Sequence, residues 1–285
     1  MAYSLSRRRA CSNCARLFAL AALSLAHPCA HALPNEGRKS SSGDDSEDAE
    51  SNASIQPHLA IFYANEGCSL KPAALDLNGK PRFKTLSSCG DAALDAKFNA
   101  EFSRARTLFS LSPLTLFLDD VSNPNAYAAP PQMTGTPDGG LFFGVTLTQD
   151  VVATFRHAYS GYPAAGEAGL MAIMAHEMGH LVQYKLGLHA PAQKYLELHA
   201  DFIAGWYMAW RQASLSGFDV ITEAATEMAR VGDFDFQNPD HHGTPNERIA
   251  AFSAGVQQTA RALALGGQPS PLDAAKAGWL TVTKF

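Results

Sequence analysis

The ten residues MAHEMGHLVQ, Met174 to Gln183, set two imidazoles and a carboxylate into an otherwise apolar run. Polar groups are costly to bury without partners, so a helix that carries His176, Glu177 and His180 into a core needs something there to compensate them. Residues four apart stack on one helix face, and at 100° per residue the three polar side chains fall within an arc of about 100°. Met171, Met174, Met178, Leu181 and Val182 cover most of the remaining circumference. In the spacing HExxH two imidazoles can share one metal ion while the glutamate stands beside it, where a general base belongs. A metal-stabilised binding or chaperone-like protein without turnover has no need of that glutamate, so its presence favours an enzyme.

A catalytic zinc takes three protein ligands and keeps one position open. The position six residues after His180, where a third histidine would extend the motif, is Leu186, and His189 lies past Gly187. The segment ELHAD instead offers Glu197 and Asp201, four apart on the next helix among Leu196, Leu198, Phe202, Ile203 and Trp206. A stop at Gly187 and a restart at Pro191 let two antiparallel helices bring Glu197 over the histidine pair. Asp201, one turn on, can accept the free ring N–H of a ligand histidine and so hold its tautomer. His199 points roughly 200° away from Glu197 on that helix, and Trp206 and Trp210 read as core packing.

HExxH followed by ExxAD resembles the gluzincins, above all the compact neutral zinc metallopeptidases and the heat-shock and CAAX-processing membrane proteases. NAYA (125–128) followed by GLFFGVTLTQDVV is similar to the Asn-Ala-aromatic-Ala and edge-strand segment of the membrane proteases. HGTPNERIAAF (242–252) resembles the His-Gly/Pro…Arg segment downstream of their zinc helices. The likeness spans about Asn125 to Phe252. It implies one zinc ion per chain on His176, His180 and Glu197, with Glu177 as base and Asp201 behind a ligand histidine. His242, with His241 as a neighbouring rival, and Arg248 would stabilise the transition state or hold the site together. The implied fold is an α+β, zincin-like domain with a small mixed sheet and the HExxH helix packed on a second ligand-bearing helix. The implied reaction is hydrolysis of a peptide or unfolded protein, with LFFGVTL (141–147) taking the substrate as an added strand. A zinc amidase acting on cell-wall peptides is the nearest alternative. The chain departs from the membrane members in lacking transmembrane helices around the motif and in its short interval from His180 to Glu197.

Residues 1–32 read as a secretory signal. Arg7, Arg8 and Arg9 precede the apolar run Ala15 to Ala26, and Ala30-His31-Ala32 has the small-x-small form of a cleavage site. That run is well short of the ~20 residues of a spanning helix. Without the signal the chain carries 18 basic and 27 acidic residues, a formal charge of −9, which argues against nucleic acid or anionic membranes as partners and against stable membrane insertion. The expected location is the periplasm or the medium. Residues 33–57 are acidic and Ser-rich and read as a disordered linker; 58–285 form the folded domain. Within it HLAIFYA (58–64), LTLFLD (114–119) and LFFGVTL read as strands, 91–111 as an amphipathic helix and 123–140 as a loop. Further helices are expected at 166–186, 191–215, 219–231 and 245–264, the last opened by Thr244, Pro245 and Glu247.

Cys11, Cys14 and Cys29 leave with the signal, so Cys68 and Cys89 remain in an oxidising compartment. Asn78-Gly79 is a strong hairpin signal, and the two cysteines lie symmetrically about it, each ten residues out. They are expected to face each other and bond. Mass spectrometry of non-reduced peptides from periplasmic protein should find the Cys68–Cys89 link, and two free thiols would refute it. Loss of the bond should cost about 2–4 kcal/mol of stability and leave the metal ligands untouched.

Overall fold

A computed structural model of the chain describes residues 84–121, 124–158, 166–214, 220–230, 241–267 and 270–285. Strands β1 (Thr85–Leu86), β2 (Leu114–Leu118), β3 (Ala126–Ala129) and β4 (Gly140–Gly144) form a mixed sheet in the order β1-β2-β4-β3. The central pair β2 and β4 is parallel, and the outer pairs are antiparallel. Around it lie helices α1 (Ala92–Phe109), α2 (Pro131–Thr134), α3 (Val145–Ala158), α4 (Glu167–Leu186), α5 (Gln193–Ser214), α6 (Val220–Arg230), α7 (Pro245–Ala264) and α8 (Pro271–Val282). The class is α+β, mostly helical with a small sheet, as the sequence implies.

Helix α1 starts where the Asp91 carboxylate accepts the amides of Ala93 and Leu94, and its stripe Leu94, Phe98, Phe102, Ala105 and Phe109 is buried. The Phe98 ring meets Phe117 of β2 and Phe143 of β4 at centroid distances of 5.5 and 4.8 Å, which seats the helix on the sheet. At the other end of the chain α7 opens with the expected capping box, Thr244 and Glu247 each satisfying the other's backbone amide.

Helix α4 is buried around almost its whole circumference from Ala168 to Gln183, so it is the core helix on which the others stack. Its N-terminal residue Gly166 has no side chain to cap with. Glu223 of α6 does so instead, accepting the amides of Gly166 and Gly169 at 2.9 and 2.8 Å. At the far end Gly187 takes the left-handed conformation (φ 61) that ends the helix where the sequence predicts.

Helix α5 is held on both sides. The buried Glu101 of α1 accepts the Tyr207 hydroxyl at 2.5 Å and pairs with Arg211. On the opposite side α5 meets α7 through glycines: a Cβ at Gly205 would stand 1.9 Å from the Phe252 carbonyl oxygen, and one at Gly255 2.0 Å from that of Phe202. The two backbones therefore touch.

The structure corrects the segment LFFGVTL. Its strand ends at Gly144, and Val145 to Leu147 open α3. The buried Asp120 causes the switch by accepting the amides of Thr146 and Leu147 at 2.7 and 3.1 Å, the office of an N-cap. β4 is also an inner strand, paired on both sides, so it has no edge to offer an extended substrate. Among the described residues the open edge on this side is β3, which falls inside the interval 123–140 predicted as loop, as does α2.

The signal, the linker, the strand at 58–64, the Asn78-Gly79 hairpin and Cys68 lie outside the described residues. Cys89 is described as a buried thiol 3.7 Å from the Asp91 carbonyl, and burial with its neighbour Asp95 pushes its pKa up to about 11. Among the described residues no helix is long and apolar enough to cross a membrane.

Gly255→Ala tests the helix contact. Alanine favours helix by ~1 kcal/mol over glycine, but here its methyl group meets backbone that cannot rotate away. A net loss of about 1–3 kcal/mol, read as a lower denaturant midpoint, is expected; an unchanged or raised midpoint would show that the helices separate freely.

Candidate metal centre

His176, Glu177 and His180 project from the middle of α4, and Glu197 and Asp201 from the facing stretch of α5. The helices approach so closely that a Cβ on Gly179 would lie 2.9 Å from the Cα of Ala200. That crossing puts Glu197 against both histidines: His176 Nε2 lies 3.3 Å from Glu197 Oε2, and His180 Nε2 lies 3.6 Å from Oε1. The two Nε2 atoms are 3.1 Å apart. All three residues are buried, and one donor atom from each lies within 4.8 Å of the others.

Protonation follows from what stands behind each ring. His176 Nδ1 is 2.8 Å from Asp201 Oδ1, and a carboxylate only accepts, so Nδ1 carries the hydrogen and Nε2 faces Glu197 with its lone pair. Burial, with the neighbouring His176, holds His180 down to about 4 against the pull of Glu197, which leaves its imidazole neutral. Two nitrogen lone pairs and two carboxylate oxygens thus converge inside the protein. Such a set repels itself unless a cation joins it, so the residues fit a metal ion on the chemistry of their donors.

The supports are ionic. Asp201, fully buried, receives Arg248 through two hydrogen bonds of 2.8 Å, from Nε to Oδ2 and from Nη2 to Oδ1. Burial raises the Asp201 carboxyl, and Arg248 and His176 more than reverse that, so it stays ionised. Arg248 therefore acts behind the ligands, as the anchor of Asp201. Of the two loop histidines, His242 is half-buried and within electrostatic reach of Glu197, while His241 is buried. The sequence reading missed Gln183, whose Oε1 is 3.0 Å from His180 Nδ1, and Gln193, whose amide reaches Glu197 Oε1 at 3.5 Å. Their spacing was the available signal: Gln183 follows His180 by three residues and Gln193 precedes Glu197 by four, so each shares a face with its partner.

Glu177 is turned differently from the ligands. It is buried with Oε2 lacking a hydrogen-bond partner among the described residues. Burial, reinforced by Glu197, pushes its carboxyl up to about 8, against the pull of His176, Arg248 and the Ala128 backbone on β3. Gly144 donates to the Asn125 carbonyl at 2.9 Å, and in an antiparallel ladder the bonded pairs alternate. Ala126 and Ala128 consequently turn their peptide groups to the open edge, and Glu177 sits where that edge meets the histidine pair.

No family model matches this chain, and neither curated proteins nor solved structures yield a match.

The donor set predicts close to one divalent metal ion per chain by elemental analysis after gentle purification. Glu197→Ala should weaken that binding and remove the metal-dependent part of thermal stability. Arg248→Met should act on the fold itself, because it leaves Asp201 buried and uncompensated, at about 3–5 kcal/mol. Full metal retention by Glu197→Ala would show that the carboxylate is not a ligand.

Proposed function

We propose that the protein is an exported zinc-dependent endopeptidase of gluzincin type with a zincin-like fold, acting on peptides or unfolded proteins. The observation that carries this reading is the position of Glu177: a buried carboxylate with one oxygen unpartnered among the described residues, beside a His176/His180/Glu197 donor set and against the outer edge of β3. Two imidazoles and one carboxylate are a donor set of catalytic zinc sites, which keep a fourth position open. Zinc bound there would supply a Lewis acid that polarises a carbonyl and acidifies a water.

The chain's own groups divide the remaining work. The Glu177 carboxylate would take the proton from the attacking water and hand it to the leaving amine. His242, within electrostatic reach of Glu197 on the loop before α7, would donate to the oxygen that becomes negative. Asp201 and Arg248 keep His176 from turning. The outward-facing carbonyls of Ala126 and Ala128 would align an extended substrate as an added strand, the role the sequence reading gave to LFFGVTL, while their amides serve the Asn125 side chain and Glu177. An unfolded segment meets that geometric demand, since it can offer a continuous stretch of backbone. The basic, apolar and small-residue blocks of the first 32 residues support export.

Glu177→Gln conserves size while removing the base. It should keep metal content and melting behaviour, and hydrolysis of an unfolded protein substrate should fall by about 10²–10⁴. Equal rates for the variant and the wild type, or no chelator-sensitive cleavage by the wild type across a broad peptide library, would overturn the enzymatic reading in favour of a metal-stabilised binding protein.

A further inference from the structure

The two ligand histidines are held by unlike partners. His176 backs onto a carboxylate, which can only accept; His180 backs onto the amide of Gln183, which could present either end. Three contacts decide which end it presents.

Gln183 Nε2 lies 2.7 Å from the carbonyl oxygen of Leu196, on α5. A carbonyl cannot donate, so the nitrogen end of the amide must face it, and the oxygen end must face His180 Nδ1 at 3.0 Å. The same nitrogen lies 3.1 Å from His199 Nδ1, and His199 Nε2 lies 2.8 Å from the carbonyl oxygen of Ala275 on α8. Ala275 can only accept, so His199 donates from Nε2 and offers the Nδ1 lone pair to Gln183. The hydrogens therefore run one way: His180 to Gln183, Gln183 to Leu196 and His199, His199 to Ala275.

From this geometry we infer that Gln183 is the positioning residue for His180, and that His199, anchored to α8, fixes the polarity of Gln183. Together they keep the hydrogen of His180 on Nδ1, so that Nε2 faces Glu197 as a lone pair. The α8 backbone thus takes part in setting a metal ligand's tautomer. The three side chains are buried and the two carbonyls are backbone, and α8 packs its Trp279 edge-on against the His199 ring at 5.7 Å, which leaves the imidazole little freedom to flip.

The inference deepens the metal reading above and rests on it only for its affinity arm. In that arm, zinc affinity of the full-length folded chain is measured by competition with a chromophoric chelator. Gln183→Met, close in volume but without donor or acceptor, should bind zinc about 10- to 100-fold more weakly. His199→Leu should weaken binding in the same direction. His199→Gln, which can both accept and donate, should recover most of the loss, a rescue that mere packing would not give. In the second arm, nitrogen-15 spectra of the metal-free wild-type chain report the hydrogen on each ring nitrogen of His180 directly. A protonated Nδ1 is expected, whether or not metal later binds. An unprotonated Nδ1, or a folded Gln183→Met chain with wild-type zinc affinity, would overturn the proposal. A wild-type chain that binds no zinc but shows the protonated Nδ1 would sink the metal reading and leave the tautomer assignment standing.

Discussion

The distance between helices α4 and α5 governs the centre. Gly179 is the residue of HEMGH that faces α5, and its missing side chain lets Ala200 come within what would be 2.9 Å of a Cβ. Ala200 stands between Glu197 and Asp201 in sequence, so the approach that Gly179 permits delivers both carboxylates at once, one to the front of the histidine pair and one behind it. A larger residue there would prise the helices apart at the point where a few tenths of an ångström decide whether donor atoms converge. The close passage of α5 along α7 continues the same arrangement, because α7 carries Arg248 and must lie near enough to reach Asp201.

Burial of this many charges is tolerated because the charges are stacked in order. Arg248 neutralises Asp201, Asp201 orients His176, and His176 faces Glu197. Each member is nearly or fully shielded from water, so removing one leaves its neighbour with no solvent to turn to. Glu177 is the exception in this series: its environment raises its pKa, where the same interior lowers those of Glu197 and Asp201. Glu177 and Glu197, close enough to act on each other electrostatically, thus sit in opposed environments.

The sequence was most legible where a local rule had few competitors. The capping box at Thr244, the stop at Gly187 and the four-residue spacings of His176/His180 and Glu197/Asp201 all stand in the structure as read. β3 was hidden because AYAA contains no β-branched residue and only one aromatic, and it is a strand by virtue of its pairing with β4. Val145 to Leu147 misled for the converse reason: VTL is strand-prone, but Asp120, distant in sequence, caps it into a helix. His199 was beyond reach because its meaning lies in a partner on α8, and nothing near it in the chain announces that carbonyl.

The cap on α4 has a bearing on the order in which the molecule can be built. The first turn of the helix that carries both histidines draws its acceptor from Glu223, 57 residues further along the chain. Until that segment has docked, the apolar, glycine-started helix has exposed amides at one end and a polar trio with nothing to bind at its middle. Nucleating such a helix alone is unfavourable, so α4 gains its full set of partners only after α5 and α6 have been delivered. In a chain that emerges from its N-terminus, the centre is then assembled backwards, its later helices completing the earlier one, and the convergence of the donor atoms arrives as one of the last events of folding.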